Sequence, residues 1–380
     1  MSRPAIVVVA YNRIKSLSRL LSSLTKATYP FDIQLIISID KGNNHDVQAM
    51  ADRFEWSHGE KVVIYQADHL GLKNHILKCG DLTQQYESVI ILEDDLLVSP
   101  MFYTYAIEAL KFYKSDDRIA GLSLYSMSHN IYTRFPFKPI LDESDTFFLQ
   151  IPQSWGEVWN QRQWSSFREW YSQNNHRMNL KESLPPVVAS WPDSSWAKYF
   201  WAFMAQTNRY FAVPRESHTT QFSETGIHTR KKSTSYHVPL QLLKKKYEFK
   251  SLDESIAVYD EHYELLPDRL NRLTNQFRGF EYEVDLNGTK QLEKITAEHC
   301  LTSKPSKTFF FSFGREMKPL EMNIIDEIGG KDLFFCRTDS IEESRRSKLI
   351  RRQKEFLFYY TDISAKRLAL LLFLKIIRKI

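Results

Sequence analysis

The stretch Val89–Pro100, VIILEDDLLVSP, constrains the fold of this chain more than any other feature. Four apolar residues run without a break into three acids, Glu93, Asp94 and Asp95. Such a run is typical of a central strand covered on both faces. Carboxylates are costly there unless they lie at the open end of the strand and hold a cation. Two interpretations follow: a divalent-ion site for a phosphate ligand, or a solvated turn in which Asp95 caps a helix.

Strand and helix patterns alternate through the first third of the chain and predict an α/β fold with a doubly wound, mostly parallel sheet flanked by helices. The first apolar run, PAIVVVA, ends at Ala10 and is followed by Tyr11 and Arg13. The second, IQLIISI, ends at Asp40, which could accept a hydrogen bond from a base or ribose or simply form an Asp-x-Gly turn. Since ligands bind outside the carboxyl ends of such strands, these four residues are candidate ligand contacts.

The loop and helix ADHLGLKNHILKC carry two further candidates, Lys73 and Asn74. They could face a diphosphate, or they could form a solvated first turn. The sequence lacks both the Gly-x-Gly-x-x-Gly dinucleotide fingerprint after the first strand and the Gly-x-x-x-x-Gly-Lys-Ser/Thr phosphate loop. If the chain binds a nucleotide, it therefore does so through an acid-held metal and through side chains at strand ends.

Cysteine and tryptophan usage adds two expectations. Three widely spaced cysteines form neither a disulfide framework nor a zinc pattern, which favours a reducing compartment, the cytosol; they are Cys79, Cys300 and Cys336. The N-terminal sequence also lacks the features of a secretory signal. All the tryptophans except Trp56 fall between residues 155 and 201, and they predict either a buried core or a platform that stacks on an acceptor sugar.

The C-terminal tail holds the excess positive charge of the chain, whose net charge is +5. From residue 345 onwards there are 11 Lys and Arg against 2 Asp and Glu, and the run LALLLFL follows at 368–374. That run is too short to span a bilayer, so we expect a basic amphipathic helix on an anionic membrane surface. Nucleic acid is the less favoured partner because aliphatic residues dominate.

The sequence predicts three segments. Residues 1–245 form the α/β domain, with a donor half up to about residue 125 and an acceptor half at 126–245. Residues 246–340 form a small α+β unit in which no catalytic constellation is found, and residues 341–380 form the membrane-associating tail.

Several motifs together resemble nucleotide-sugar glycosyltransferases of the GT-A fold, namely AYNR, SIDKG, LGLKNHILKC and, above all, ILEDDLLVSPMFYTY. The likeness is to N-acetylglucosaminyltransferase I and, in SWGEVW, to bacterial family-two-like transferases. It covers roughly residues 4–235. The resemblance implies that Asp95 binds Mn²⁺ or Mg²⁺, that Glu93 and Asp94 contact the donor, and that Asp40 binds uracil or ribose. The later segment VPRESHTTQFSETGIHT is similar to a Gly-x-x-His region of the family, which implies His228 as a second metal ligand.

The catalytic base departs from this family pattern. In N-acetylglucosaminyltransferase I it is an acid in a Phe-Trp-Asp-Asp-Trp helix start after Trp-Pro. Here Trp191-Pro192 is followed by Asp193, and the helix after it reads SSWAKYFW, with alanine and lysine near the expected acids. Asp193 and Glu157 are therefore the two candidates.

The activity that the resemblance implies is inverting, metal-dependent transfer of a sugar, with GlcNAc the first candidate, from a UDP-sugar to a hydroxyl of a glycan or lipid-linked acceptor. Bacterial surface-polysaccharide synthesis at the cytoplasmic face of the membrane would suit the basic tail. A nucleotidyltransferase is an alternative, although AYNRIKS lacks the glycines of its usual loop. An inactive glycan-binding pseudo-transferase is another, favoured by the missing acid.

Overall fold

The computed structural model describes residues 3–175, 184–222, 234–243, 245–360 and, in the tail, 364, 366, 367, 369, 370 and 373. The chain divides into two compact units, each built from two stretches of sequence. The first consists of Met1–Ser128 and Leu141–Glu261, and the second of His129–Ile140 and His262–Ile380.

The strands of the first unit are β1 Ala5–Ala10, β2 Leu35–Ile39, β3 Lys61–Tyr65, β4 Ser88–Glu93, β5 Leu96–Val98, β6 Ile119–Ser123, β7 Thr146–Leu149, β8 Glu157–Asn160, β9 Tyr210–Pro214, β10 Thr219–Gln221 and β11 Val258–Tyr259. Within the described residues, nine of them form one sheet in the order β11-β7-β9-β6-β8-β4-β1-β2-β3, and β5 pairs with β10. Five of the eight neighbouring pairs in the large sheet are parallel. The predicted α/β class with a large, mostly parallel sheet is confirmed.

The helices of this unit are α1 Ile14–Thr25, α2 His45–Arg53, α3 Gly71–Gly80, α4 Thr83–Tyr86, α5 Phe102–Tyr113, α6 Gln161–Asn174, α7 Pro186–Ala189 and α8 Trp196–Thr207. Helix α1 follows from its pattern, since its leucines recur every three or four residues and are buried. Strand β1 is buried along its whole length, as expected for a strand with helices on both faces.

The parallel strands β4, β1, β2 and β3 lie side by side, so their carboxyl ends share one edge of the sheet. Val9 in β1 is opposite Glu93 in β4, and the Asp40 amide donates to the Ala10 carbonyl over 3.0 Å. This register brings the ends of the first, second and fourth strands, and the polar residues that follow them, to one place.

The first unit extends beyond the predicted boundary at residue 245. The Phe148 amide donates to the Ala257 carbonyl over 2.9 Å, and β11 then pairs with β7 at the edge of the large sheet. Residues up to 261 therefore complete this sheet, whereas the prediction assigned 246–261 to the smaller unit. Residues 129–140 belong to the second unit, although the sequence placed them in the first.

The second unit contains a four-stranded sheet in the order β12-β13-β15-β14, with β12 Tyr282–Asp285, β13 His299–Thr302, β14 Phe311–Phe313 and β15 Leu333–Arg337. Its helices are α9 Pro267–Leu270, α10 Met322–Ile325 and α11 Arg345–Tyr359, with 3₁₀ turns at Leu292–Lys294 and Thr338–Ser340.

Helix α11 ties the first part of the predicted tail to the second unit. Its Arg351 is 6% exposed and donates to Glu343 over 2.8 Å and to Glu355 over 3.0 Å. The face with exposed apolar residues carries Leu349 and Leu357. No described helix combines the length and apolar character needed to cross a bilayer.

Four tryptophans of the predicted cluster are core residues: Trp159, Trp164, Trp196 and Trp201. The first two rings lie 4.7 Å apart, and Trp159 also packs edge-on against Trp196. The core interpretation therefore holds for these four. Trp155, Trp170 and Trp191 are half-buried, so the acceptor-platform prediction is restricted to these three.

Candidate active site

The acid triplet lies at the carboxyl end of β4, beside the end of β1. The Asp94 amide continues the strand by donating to the Val9 carbonyl over 3.1 Å. The residues Asp94 and Asp95 are almost fully buried, at 2% and 7% exposure. Buried carboxylates need hydrogen bonds or a cationic partner, so the structure at this point must supply positive charge.

Arg13 supplies part of that charge. It directly precedes α1, and its guanidinium donates to Oδ2 of Asp95 over 2.8 Å and forms a second ion pair with Asp94. Burial raises the pKa of Asp94 to about 6, against the opposing effect of Arg13. One cation therefore faces two carboxylates, and the site remains electronegative.

A fourth carboxyl group, that of Glu157, lies next to the triplet. Strand β8 runs antiparallel to β4 with Glu157 opposite Ile91, two residues before Glu93. Glu157 is 1% exposed, and neither of its carboxyl oxygens has a hydrogen-bond partner among the described residues. Burial, with a further contribution from Glu93, raises the pKa of Glu157 well above its usual range. Burial and Asp95 likewise raise the pKa of Glu93 to about 8.

A divalent ion fits beside an oxygen of Asp95. Oδ1 of Asp95 is buried and has no hydrogen-bond partner within the described ranges. Mg²⁺ and similar hard cations are commonly held by one or two carboxylates together with water and substrate phosphates. No group of three or more His, Cys, Asp and Glu side chains in the described part of the chain is arranged to hold a metal. His228 lies outside the described residues, so its assignment as a ligand stays a prediction.

Asp40 is buried and caps the start of α3. Its Oδ1 accepts the Leu70 amide over 2.8 Å, and its Oδ2 accepts the Gly71 amide over 3.0 Å. The His69 ring also lies 3.0 Å from Oδ2. These contacts give Asp40 a structural role at the start of α3, and both its Asp-x-Gly turn and its contact with uracil or ribose stay predictions.

Tyr11 lies beside this turn. Its ring is 5.3 Å from that of His69, and a Cβ at Gly42 would come within 2.6 Å of it. Its carbonyl accepts a hydrogen bond of 2.6 Å from the Asn44 amide group, which also donates to the Asp40 carbonyl over 2.9 Å. Asn44 therefore joins the ends of β1 and β2, a role that the sequence analysis missed. The only local signal was its place in the Gly-Asn-Asn turn.

Three predicted residues make contacts away from the triplet. The Lys73 ammonium lies 4.7 Å from the centre of the Tyr199 ring, and Asn74 donates to the Leu70 carbonyl over 3.1 Å. Asp193 is exposed and accepts a hydrogen bond of 2.9 Å from Lys198. The described contacts of these side chains do not join them to Asp94 or Asp95.

The downstream segment predicted to complete the site does reach the triplet. Strand β10 pairs with β5, and the Phe222 amide donates to the Asp95 carbonyl over 3.0 Å. Gly156, with φ of +103°, permits the close approach of Thr219, whose Cγ2 would lie 2.9 Å from a Cβ there. Residues 223–233, which include Gly226-Ile227-His228, lie outside the described residues.

No protein-family model matches the sequence, and no curated protein is detectably similar to it. Similar solved structures include S. aureus TarS 1-349 in complex with UDP-GlcNAc, which is 12% identical with a TM-score of 0.37 over 59% of this chain and 60% of that chain. Another is the mannosyltransferase PcManGT from Pyrobaculum calidifontis in complex with GDP-Man and Mn²⁺, 12% identical with a TM-score of 0.33 over 56% and 57%. The chain thus spans less than two thirds of each protein. At these scores the likeness is too loose to assign a function, and the resemblance to N-acetylglucosaminyltransferase I stays a prediction.

Proposed function

We propose that this protein is a GT-A type glycosyltransferase that transfers a sugar from a nucleotide-sugar donor to a hydroxyl group of a glycan acceptor. One observation carries the proposal: an acid triplet lies at the carboxyl end of a buried central strand, with one buried Asp95 oxygen left without a described partner. Crevices at such strand ends are where open α/β sheets bind their ligands. The UDP-sugar donor, and GlcNAc as its first candidate, follow from the sequence resemblance.

The residues in and around the triplet have different proposed roles in holding the donor. Asp95 would hold Mn²⁺ or Mg²⁺, which when bound neutralises charge that develops on the leaving diphosphate. Arg13 keeps Asp94 and Asp95 close together and limits their mutual repulsion. Tyr11 and Asp40 border the adjacent strand end, where the base and ribose are proposed to bind.

The two candidate bases differ in what surrounds them. Glu157 adjoins the triplet, but it is buried and its pKa is raised above the usual range, which disfavours the charged form that a general base needs. Asp193 is exposed and pairs with Lys198, so an acceptor hydroxyl can reach it. We therefore assign the base to Asp193 and give Glu157 the role of a buried neighbour of Glu93.

This assignment is tested by kcat. Removing a general base lowers the rate by about 10²–10⁴-fold. The kcat of Asp193→Asn should therefore fall by that factor, while Glu157→Gln should retain most of its activity. The reverse order would assign the base to Glu157. Asp253→Asn, another exposed aspartate in an ion pair, is the matched control.

The acceptor is proposed to be a membrane-held, lipid-linked or surface glycan, and the protein to work at the cytoplasmic face of the membrane. The support is the basic tail together with the exposed Leu349 and Leu357 on α11. Co-sedimentation with phosphatidylglycerol vesicles tests this, because a chain ending at residue 360 should bind them less well than the full chain. Equal binding by both chains would contradict the assignment of residues 361–380 to the membrane surface.

The transferase proposal itself is tested by release of UDP from a panel of UDP-sugars with Mn²⁺. Turnover of one donor that needs metal and is lost in Asp95→Ala would support it and name the sugar. Asp116→Ala, which removes an acid paired with Arg118, controls for a general effect of charge. A panel on which the wild type and Asp95→Ala behave alike would contradict the proposal.

A further inference from the structure

The second unit contains a cavity of about 400 Å³ that the transferase proposal does not use. This volume lies within the range of roughly 300–1,000 Å³ that is usual for small-molecule sites. The residues that define its chemistry are Asn130, Phe137, Tyr263, Lys318, Glu321 and Tyr359. All of them belong to the second unit.

One side of the cavity is aromatic. The rings of Phe137 and Tyr263 meet edge to face with their centres 4.9 Å apart. Tyr359 stacks on Phe135 at 4.9 Å. The Lys318 ammonium lies 5.1 Å from the Tyr359 ring centre, so the lysine is held against the wall. Aromatic rings fixed in this way offer a flat apolar surface for a ligand.

Asn130 lines this cavity and has an unused donor. It is 2% exposed, and its Oδ1 accepts the Tyr132 amide over 2.8 Å, which fixes the orientation of the side chain. Its Nδ2 is buried and has no hydrogen-bond partner among the described residues. A buried amide of this kind costs free energy unless something bonds to it, so a ligand oxygen at this position would stabilise it.

Glu321 presents a carboxyl. It is 6% exposed, and burial raises its pKa to about 7. The other carboxylate of the lining, Glu264, already accepts the Leu286 amide over 3.0 Å and the Asn287 amide over 2.8 Å. Glu321 is therefore the carboxyl that is placed to meet a ligand, and near neutral pH it can accept or donate a hydrogen bond.

The charges of the lining balance. Two lysines, Lys138 and Lys318, accompany the two glutamates, Glu264 and Glu321. A strongly anionic or cationic ligand would find no excess of opposite charge here. The complementary ligand is neutral, with one flat apolar face and hydroxyl groups that both donate and accept.

We propose that this cavity is a saccharide-binding site for a neutral pyranose, which packs on the aromatic side and hydrogen-bonds to Asn130 and Glu321. The site is distinct from the acid triplet, which belongs to the other unit. The proposal does not depend on the transferase function, because it concerns binding alone.

The test uses saturation-transfer NMR to measure the binding of methyl glycosides of glucose, galactose, mannose and N-acetylglucosamine to the full chain. Three variants are compared with the wild type. Asn130→Asp keeps the acceptor that fixes the turn but removes the donor, Glu321→Gln keeps the shape of the side chain, and Phe137→Ala removes one ring. Asn275→Asp, at an exposed asparagine outside the lining, is the control for added negative charge.

We expect the wild type and Asn275→Asp to bind at least one of these glycosides equally well. Asn130→Asp and Phe137→Ala should each weaken that binding about tenfold. Circular dichroism identifies any variant that fails to fold, and the remaining ones still decide the question. The proposal is overturned if the wild type binds none of the glycosides, or if every folded variant binds as tightly as the wild type.

Discussion

Replacement of Arg13 by glutamine probes the electrostatics of the acid triplet most sharply. The arginine side chain is 28% exposed, while those of its partners Asp94 and Asp95 are 3% and 9% exposed. Breaking a fully buried ion pair by removing one partner costs about 3–5 kcal/mol. Because Arg13 retains some contact with water, we expect Arg13→Gln to lower the free energy of unfolding of the first unit by about 2–3 kcal/mol.

Urea unfolding monitored by tryptophan fluorescence measures this loss selectively, since Trp56 and the seven tryptophans between residues 155 and 201 all belong to the first unit. Arg118→Gln is the matched control. That arginine also binds two aspartates, Asp116 and Asp253, but it is 44% exposed. Exposed pairs of this kind contribute less than about 1 kcal/mol.

The same unfolding experiment is also carried out with Mn²⁺. Without the guanidinium the triplet is more negative, so Mn²⁺ should stabilise Arg13→Gln more than it stabilises the wild type. Equal losses of stability in Arg13→Gln and Arg118→Gln, together with no response to Mn²⁺, would refute the description of the triplet as an electronegative cation site.

Three further changes have defined outcomes. Gly121→Ala should destabilise the protein by about 1–3 kcal/mol in thermal unfolding, because its Cβ would lie 2.5 Å from Trp159, whereas Gly329→Ala, with nothing within 4 Å, should be neutral. Asp40→Asn should lower the free energy of unfolding, measured with urea, by about 1–2 kcal/mol, because the amide cannot accept hydrogen bonds from all the backbone donors at the start of α3. Glu321→Gln should change the pH dependence of unfolding. In the wild type the pKa of Glu321 is raised from 4.5 to about 7 by folding, so the wild type loses up to about 3 kcal/mol of stability as the pH rises between these values. The variant should therefore be the more stable protein at about pH 8 and lose this advantage below about pH 4.

The main sheet and the triplet were predictable because their signals are local. A β-branched run that ends in acids, as at Val89–Asp95, specifies a buried strand with a polar end whatever lies elsewhere in the chain. Parallel neighbours then bring Arg13 and Asp40 to the same edge.

Contacts that depend on long-range register were not predictable. The proximity of Glu157 to Glu93 arises because β8 enters the sheet antiparallel to β4, and no periodicity in Glu157–Asn160 shows which strand it will pair with. The joining of residues 129–140 to the second unit is a similar case, since sequence composition changes little there.

The charge pattern of the sequence also did not show which arginine of the tail is buried. The arginines of α11 look alike in sequence, yet Arg351 is buried between Glu343 and Glu355 while Arg352 is exposed. Glu355 lies four residues after Arg351 in the same helix, but Glu343 precedes the helix and is brought to Arg351 by the fold.

Calorimetric titration of UDP in the presence and absence of Mn²⁺, with the wild type and Asp95→Asn, tests the central claim most directly. The claim is that the acid triplet binds a metal-held nucleotide diphosphate. It predicts that the wild type binds UDP much more tightly with Mn²⁺ than without it, and that Asp95→Asn loses this difference while remaining folded. UDP binding that does not respond to metal or to Asp95→Asn, or no UDP binding by the wild type under either condition, would contradict it.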